Sequence, residues 1–191
     1  ILYSYAPGPG WAEVFIRTSA KTDSPFFCYL AYNAVHGPLR IDESKPASAA
    51  PEAWVKKAVD RGVSFLRSDH VAILEHMDHN IGRLIDVMDE VKVADNTLIV
   101  FVSDNGGCMM EEGEAGGRFT GNNGPHRGGI ATTYQGGLNV PCLLNWKDRL
   151  NEGMVSDDHV MHCDIFATLL DAADIPVPET NGKNLVRGMS L

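Results

Sequence analysis

Two short apolar runs, each followed at once by polar residues, constrain the fold of this chain most. F-F-C-Y-L-A-Y occupies positions 26–32 and leads to His36, and T-L-I-V-F-V-S occupies positions 97–103 and leads to Asp104 and Asn105. Continuous apolar runs of this length are typical of strands buried on both faces, as in a parallel sheet covered by helices. We therefore predict two central strands, and the apolar residues near Pro141 predict a third.

Helical patterns alternate with these runs. Apolar residues recur at intervals of three and four over 11–20, from Ile73 to Met88 after Ser68, and over 159–173, and serine is favoured at a helix N-cap. Strands that alternate with helices predict an α/β fold in which a mainly parallel sheet is flanked by helices. A length of 191 residues is enough for one domain with a sizeable core.

Composition excludes several functional classes. The net charge is −9 and Lys and Arg do not cluster, which argues against nucleic acid as a partner. No apolar run reaches the roughly 18 residues that a transmembrane helix requires. The four cysteines lie far apart and lack C-x-x-C spacing, so we interpret them as buried small apolar residues, with a disulfide as the alternative.

The polar residues at the two strand ends are the first candidates for a functional site, because ligands of open α/β sheets bind beyond the carboxyl ends of strands. Asp104 and Asn105 offer a carboxylate and an amide oxygen, which suit a hard cation such as Ca²⁺ or Mg²⁺. The alternative is an ordinary turn, since Asp-Asn-Gly favours turns in any protein. His36 is the candidate at the other strand end.

Two further segments contain histidines. His76 and His79 have a spacing that could hold a metal ion, but they share a helix face with charged residues, which favours a solvated surface. His126 and Arg127 lie in a glycine-rich stretch that could present a cation and backbone N–H groups to an anion. A flexible surface loop is the alternative for that stretch.

Five segments in a defined order carry a family resemblance. They are P-F-F-C-Y-L-A-Y-N-A-V-H-G-P, D-H-N-I-G-R-L-I-D-V-M-D-E, A-D-N-T-L-I-V-F-V-S-D-N-G-G, R-G-G-I-A-T-T-Y-Q-G-G-L-N-V-P and H-C-D-I-F-A-T-L-L-D-A-A-D-I-P. Together they resemble the sulfatases of the alkaline phosphatase superfamily over roughly residues 11–190. Each segment alone is a weak signal, whereas five in the right order make a chance similarity improbable.

The resemblance implies a calcium-assisted hydrolase that cleaves sulfate esters of small molecules or glycans. It implies that Asp104 and Asn105 are metal ligands and that His36 contacts the ester or protonates the leaving oxygen. Arg127 matches a family arginine at the edge of the site, where it would hold the loop or bind substrate. In an acidic protein, a divalent cation would supply the local positive charge that a sulfate needs. The resemblance also implies a periplasmic, extracellular or lysosomal location.

The sequence lacks the nucleophile that the resemblance implies. In the family this nucleophile is a formylglycine made from the Cys or Ser of C/S-x-P-x-R, and no Cys or Ser of this sequence has that context. We therefore expect residues 1–191 to be a partial sulfatase catalytic domain without the N-terminal half that carries the nucleophile and without the small C-terminal subdomain. Such a chain alone would be inactive.

A second departure concerns charge. Ile130 stands where the family pattern has a lysine that grips the sulfate, and Gln135 replaces a nearby glutamate. Losing a charge-assisted contact weakens binding, so another cation substitutes, the substrate differs, or activity is reduced. Two alternatives to a sulfatase remain open: a phosphate or phosphonate ester hydrolase of the same superfamily, and a non-catalytic relative that binds sulfated ligands.

Overall fold

The computed structural model describes residues 2–4, 10–36, 50–109, 121–176 and 188–191. The elements are β1 (Leu2–Ser4), α1 (Trp11–Ser19), β2 (Leu30–Tyr32), α2 (Glu52–Asp60), α3 (Phe65–Glu90), a 3-10 turn (Ala94–Asn96), β3 (Ile99–Val102), α4 (Gln135–Leu138), β4 (Cys142–Asn145) and α5 (His162–Ala172). They divide into two compact units, residues 1–146 and 147–191. The alternation of helices and strands confirms the α/β class that the sequence predicts.

The described strands form one parallel pair and one antiparallel pair. β1 and β2 are parallel. β3 and β4 are antiparallel, with Val102 beside Cys142, so within the described residues the strand predicted over 97–103 pairs with an antiparallel neighbour. The chain reverses direction between them, and the Ser103 N–H donates to the carbonyl of Pro141 at 3.2 Å just beyond the pair. Because the intervening segment folds back on itself, β4 returns alongside β3.

The strands are shorter and less buried than the apolar runs predict. The run over 26–32 forms a strand only at its end, and the side chains of Phe27 and Tyr29 are 70% and 55% exposed. All residues of β3 are half-buried. Among the described residues, each strand has one hydrogen-bonded neighbour.

Helix α3 is the scaffold of the first unit, and both α1 and α2 pack against it. It begins at Phe65, where the extended backbone of Ser64 ends, and not at the predicted N-cap Ser68, which is fully buried within the helix. Charged residues recur along its 26 residues. In the described ranges, no helix combines the length and the apolar character that crossing a bilayer requires.

An apolar cluster between α2 and α3 supports the turn that follows β2. Val55 of α2 packs with Ala72 and Ile73 of α3, and Ala34 and Val35 of that turn pack against them. The position of the turn is therefore set by helix packing and not by the strand alone.

A second apolar cluster joins α1 to the C-terminal half of α3. It is formed by Ile16, Val87 and Met88, and Ile99 at the start of β3 packs against it. This contact places the beginning of β3, and hence the polar residues at its far end, relative to the helices.

The polar face of α3 is covered only in part: His79 and Asp86 are exposed, as the predicted solvated surface implies, whereas His76 is half-buried. The ring centroid of Trp54 in α2 lies 5.5 Å from that of His76 and 5.3 Å from that of His79. Arg83 forms an ion pair of 2.7 Å with Glu13 of α1. Burial lowers the pKa of His76, and the nearby His79 and Arg83 lower it further. These polar side chains therefore serve contacts between helices.

The cysteines are free thiols and do not form the alternative disulfide. Cys28, Cys108 and Cys142 are half-buried, and Cys163 is exposed, so the interpretation of all four as buried apolar residues is too strong. Burial raises the pKa of the Cys28 and Cys142 thiols. Both thiols are accordingly less available as thiolates.

The second unit is organised around the carboxylate of Asp164 in α5. Its Oδ2 atom accepts a hydrogen bond from the Met161 N–H at 2.7 Å, and its Oδ1 atom accepts one from the Met189 N–H at 2.9 Å. The hydroxyl of Thr168 accepts from the Leu191 N–H at 3.1 Å. The backbone hydrogen bonds from Met161 and Met189 lower the pKa of Asp164 below its ordinary value of 3.8. The carboxylate thus joins the start of α5 to residues 188–191.

We predict that Asp164→Asn releases residues 188–191 from α5, because an amide oxygen replaces only one of the two carboxylate acceptors. The Met189 and Leu191 amides should exchange about tenfold faster, or more, in hydrogen-exchange mass spectrometry. Acidification of the unchanged protein should have the same effect. Because the folded pKa lies below the unfolded one, the stabilisation is present above pH 3.8 and is lost as the pH falls through the folded value.

Asp171→Asn is the matched control on the same helix. Asp171 accepts a hydrogen bond from the Ser190 hydroxyl at 2.7 Å and binds neither Met161 nor Met189 through its carboxylate. We expect a smaller change in exchange at residues 188–191. Equal exchange rates in Asp164→Asn and the unchanged protein would contradict the assigned role of Asp164.

Candidate active site

The predicted metal ligands lie in a tight turn directly after β3. The Asn105 N–H donates to Asp104 Oδ1 at 2.9 Å, and the Asn105 Nδ2 atom donates to the carbonyl of Gly106 at 3.0 Å. The hydroxyl of Ser103 donates to the carbonyl of Asn105 at 3.0 Å. These bonds orient both side chains through the local backbone, and Asp104 is exposed. The second carboxylate oxygen of Asp104 and the side-chain amide oxygen of Asn105 remain as acceptors for a ligand.

Glycines join this turn to the segment that precedes β4. The Gly106 N–H donates to the carbonyl of Gly137 at 3.1 Å, and a methyl group on Gly106 would overlap the carbonyl oxygen of Gly136. The Gly136 N–H in turn donates to the carbonyl of Arg127 at 2.8 Å. A methyl group on Gly136 would lie 2.7 Å from that same carbonyl oxygen. Backbone packs directly on backbone here, and only glycine permits this approach.

Asn123 stabilises the same region through side-chain hydrogen bonds, and it was not identified from the sequence. Its Oδ1 atom accepts from the Gly107 N–H at 2.8 Å, while its Nδ2 atom donates to the carbonyls of Gly107 at 2.9 Å and Gly128 at 3.1 Å. The Ile130 N–H donates to the carbonyl of Gly107 at 3.3 Å. The described part of the glycine-rich stretch is therefore joined by hydrogen bonds to the turn after β3. An asparagine among glycines was the available signal.

The side chain of Arg127 lies on an aromatic ring. Its guanidinium carbon is 4.1 Å from the ring centroid of Tyr134, a distance typical of cation–π contacts. Arg127 is exposed, and so is Ile130, at 37%. The structure thus brings Arg127 and Ile130 onto the segment that packs against the turn of Asp104 and Asn105.

His126 forms a bridge between two amide side chains. Its Nδ1 atom lies 3.3 Å from Gln135 Oε1, and its Nε2 atom lies 3.2 Å from Asn139 Nδ2. Both contacts are within hydrogen-bonding distance, and which ring nitrogen donates depends on the tautomer. Gln135 and Asn139 therefore hold the loop through His126 without adding charge.

His36 is held by a different set of contacts from those around Asp104. It ends the turn after β2, its N–H donates to the carbonyl of Asn33 at 2.9 Å, and its side chain is exposed. The preceding Ala34 and Val35 pack against α2 and α3. Its predicted role at the site stays a prediction.

The donor set at the turn fits a hard cation in part. Asp104 and Asn105 supply oxygen atoms, which Ca²⁺ and Mg²⁺ prefer, and neither histidine nor thiol is needed. Ca²⁺ takes about six to eight oxygens, so these two residues would form only part of a site. Within the ranges that the structure describes, no three His, Cys, Asp or Glu side chains are grouped so that they could hold a metal ion.

Comparisons with known proteins show the family to which the chain is similar. The family model described as Sulfatase matches residues 10–175. Steryl-sulfatase from Homo sapiens is 31% identical over 168 residues, which is 88% of this chain and 26% of that protein. N-acetylgalactosamine-6-sulfatase from Homo sapiens is 31% identical over 175 residues, which is 90% of this chain and 30% of that protein.

Solved structures show the same relationship. The crystal structure of Ps i-CgsB has 29% identity and a TM-score of 0.76, over 93% of this chain and 35% of that one. Its complex with k-i-k-neocarrahexaose has 29% identity and a TM-score of 0.72, over 87% of this chain and 33% of that one. The chain thus spans about a third or less of the length of the relatives it matches. The family match over most of its residues shows that the chain belongs to the sulfatase family.

Proposed function

We propose that the complete protein hydrolyses sulfate monoesters and that its substrate is a sulfated glycan. The observation that carries the proposal is the glycine packing that joins the turn of Asp104 and Asn105 to the segment of Arg127 in a sulfatase-family chain. An oligosaccharide complex of a relative, Ps i-CgsB with k-i-k-neocarrahexaose, supports a glycan over a small aryl sulfate.

Asp104 and Asn105 are the proposed ligands of a divalent cation, calcium or, as the alternative, magnesium. When bound, the cation would supply positive charge for the sulfate oxygens and for the charge that develops during cleavage. Asp104 would contribute its exposed carboxylate, and the hydrogen bond from Asn105 Nδ2 to Gly106 would direct the amide oxygen away from the backbone. Further ligands would come from other residues of the complete protein.

His36 is the proposed contact to the ester oxygen or proton donor to the leaving oxygen. Imidazole is suited to proton transfer near neutral pH, and the exposed position of His36 at the end of a packed turn leaves it accessible to substrate. The nucleophile would be a formylglycine, which this sequence does not supply because it lacks C/S-x-P-x-R. The 191 residues alone would then be inactive.

We further propose that the protein acts in the periplasm, outside the cell or in a lysosome. The family resemblance supports this location. Fractionation of the producing cells, with detection of the protein in the soluble cytosolic fraction alone, would contradict it.

The test of the function is release of inorganic sulfate by the complete protein. Ion chromatography would follow sulfate release from sulfated oligosaccharides and from an aryl sulfate, with and without added Ca²⁺. We expect release that depends on Ca²⁺ and is faster with the oligosaccharides. Matched phosphate esters serve as the comparison.

Two other outcomes would replace the proposal. Preferential release of phosphate would favour the phosphate or phosphonate ester hydrolase. Binding of the sulfated oligosaccharides without release of sulfate would favour a non-catalytic relative, for which the apolar Ile130 is the specific observation.

A further inference from the structure

The peptide group between Gly106 and Gly107 is held at both of its polar ends. Its carbonyl oxygen accepts a hydrogen bond from Asn105 Nδ2 at 3.0 Å. Its N–H donates to the Oδ1 atom of Asn123 at 2.8 Å. In a trans peptide these two groups point in opposite directions within one plane. The side chains of Asn105 and Asn123 are therefore linked through a single peptide unit.

Asn123 binds both backbone groups of Gly107 with one side chain. Its Nδ2 atom donates to the carbonyl of Gly107 at 2.9 Å and to the carbonyl of Gly128 at 3.1 Å. A side-chain amide offers one oxygen acceptor and two N–H donors, and these three bonds use all of them. Asn123 thereby ties the turn after β3 to the residue that follows Arg127.

The amide of Asn123 is closely surrounded. A methyl group on Gly107 would lie 3.2 Å from its Oδ1 atom, and a methyl group on Gly129 would lie 2.8 Å from its Nδ2 atom. Its backbone carbonyl accepts from the His126 N–H at 2.8 Å. The side chain is therefore held in place by contacts on two sides as well as by its hydrogen bonds.

The direction of the Asn105 amide depends on this arrangement. Because Asn105 Nδ2 is bound to the carbonyl of Gly106, the amide oxygen faces away from that carbonyl. A rotation of the peptide group would break this bond and leave the amide oxygen without a fixed direction. Hydrogen bonds in a chain also polarise one another, so the bond from Gly107 to Asn123 strengthens the carbonyl of Gly106 as an acceptor.

We infer that Asn123 is a positioning residue for the proposed cation site and acts on the Asn105 amide through the peptide group between Gly106 and Gly107. The inference rests on the proposed function, which assigns Asp104 and Asn105 as ligands. Asn123 itself does not contact the cation, since its polar atoms bind backbone groups. It acts on the affinity for the cation more than on the chemical step.

Asn123→Asp tests the inference in the complete protein. The carboxylate has nearly the shape of the amide and can accept from the Gly107 N–H, but it cannot donate to the carbonyls of Gly107 and Gly128. Added Ca²⁺ should raise the melting temperature, and we expect the Ca²⁺ concentration at the midpoint of that rise to increase about tenfold or more. The kcat for sulfate release at saturating Ca²⁺ should fall much less than the Ca²⁺ affinity.

Asn122→Asp is the matched control, because it adds the same charge one residue away. The Asn122 Oδ1 atom accepts from the Gly124 N–H at 2.8 Å, and a carboxylate can do the same. A negative charge near a cation favours binding, so charge alone predicts tighter binding of Ca²⁺ in both variants. We expect an unchanged or slightly lower Ca²⁺ midpoint in Asn122→Asp and the opposite sign in Asn123→Asp.

Hydrogen exchange without Ca²⁺ provides a readout that does not depend on activity. Peptides over 103–109 should exchange about tenfold faster, or more, in Asn123→Asp than in the unchanged protein. Asn122→Asp should leave this exchange unchanged. If Asn123→Asp does not fold, Asn123→Ala applies with the same expected results, since alanine removes all three side-chain bonds.

The outcomes separate the inference from the proposed function. Faster exchange in Asn123→Asp with an unchanged Ca²⁺ midpoint would overturn the inference, because Asn123 would then only hold the loop. Unchanged exchange, or an equal rise of the midpoint in Asn122→Asp, would overturn it as well. If Ca²⁺ stabilises the unchanged protein but no ester releases sulfate, the proposed function fails, and the Ca²⁺ midpoints of the variants still decide the role of Asn123.

Discussion

A methyl group at Gly106 should destabilise the site region by about 3 kcal/mol or more, near the upper end of overpacking effects. In Gly106→Ala the new Cβ would overlap the carbonyl oxygen of Gly136 and lie 2.8 Å from its carbonyl carbon and 3.1 Å from the Cα of Gly137. All three atoms belong to backbone, which cannot move aside as a side chain would. The hydrogen bond from Gly106 to Gly137 would be lost as well.

Hydrogen exchange of peptides that cover 103–109 and 121–139 measures this effect in the complete protein. We expect faster exchange in both segments, because each holds the other in place, together with a lower free energy of unfolding. Sulfate release should fall in parallel, since Asn105 precedes the displaced residue.

Gly82→Ala is the matched control with the opposite expected sign. Gly82 lies inside α3, and a methyl group there meets no atom within 4 Å. Alanine favours the helix over glycine by about 0.5–1 kcal/mol, so this variant should be slightly more stable. Equal stabilities of Gly106→Ala and the unchanged protein would show that the two segments are not packed as described.

Loss of the Asp104 carboxylate should lower kcat/KM for a sulfate ester by about a thousandfold or more, because it removes a proposed cation ligand at the reacting centre. Asp104→Asn keeps the shape of the side chain and removes its charge. Added Ca²⁺ should raise the melting temperature of the protein. We expect this variant to need a higher Ca²⁺ concentration to reach the midpoint of that rise. Removal of Ca²⁺ with a chelator should reduce the activity of the unchanged protein in the same way.

Asp86→Asn provides the comparison, since Asp86 is an exposed carboxylate on α3. Its activity and Ca²⁺ midpoint should match those of the unchanged protein. If Asp104→Asn retains full activity and the same Ca²⁺ midpoint, the turn after β3 is structural and Asp104 is not a ligand.

Local patterns were sufficient to predict most elements. The helix over 159–173 is α5, and the helix over 11–20 is α1, because apolar spacing reports directly on which side of a helix is buried. The predicted start of α3 was wrong. Ser68 has a side chain suited to an N-cap, but the helix begins at Phe65. A capping residue type favours a boundary and does not exclude an earlier one.

Which distant segments contact one another could not be predicted from the sequence patterns. The apolar run at 97–103 indicates a strand, but nothing in it distinguishes a parallel neighbour from the antiparallel β4. His76 and His79 have the spacing of a polar face, and only the structure shows that Trp54 of α2 packs against both rings while His79 stays exposed. Periodicity describes one element at a time and does not specify its partner.

For this protein, the sequence by itself determined the α/β class, the polar turn at Asp104 and Asn105, and membership of the sulfatase family through the order of its segments. Only the tertiary structure decided how the glycine-rich stretch is used. Gly106, Gly136 and Asn123 bring together backbones that are far apart in the sequence, as in the contact of Gly106 with Gly137. The physical reason is that glycine permits close backbone approach but does not encode which backbone will approach.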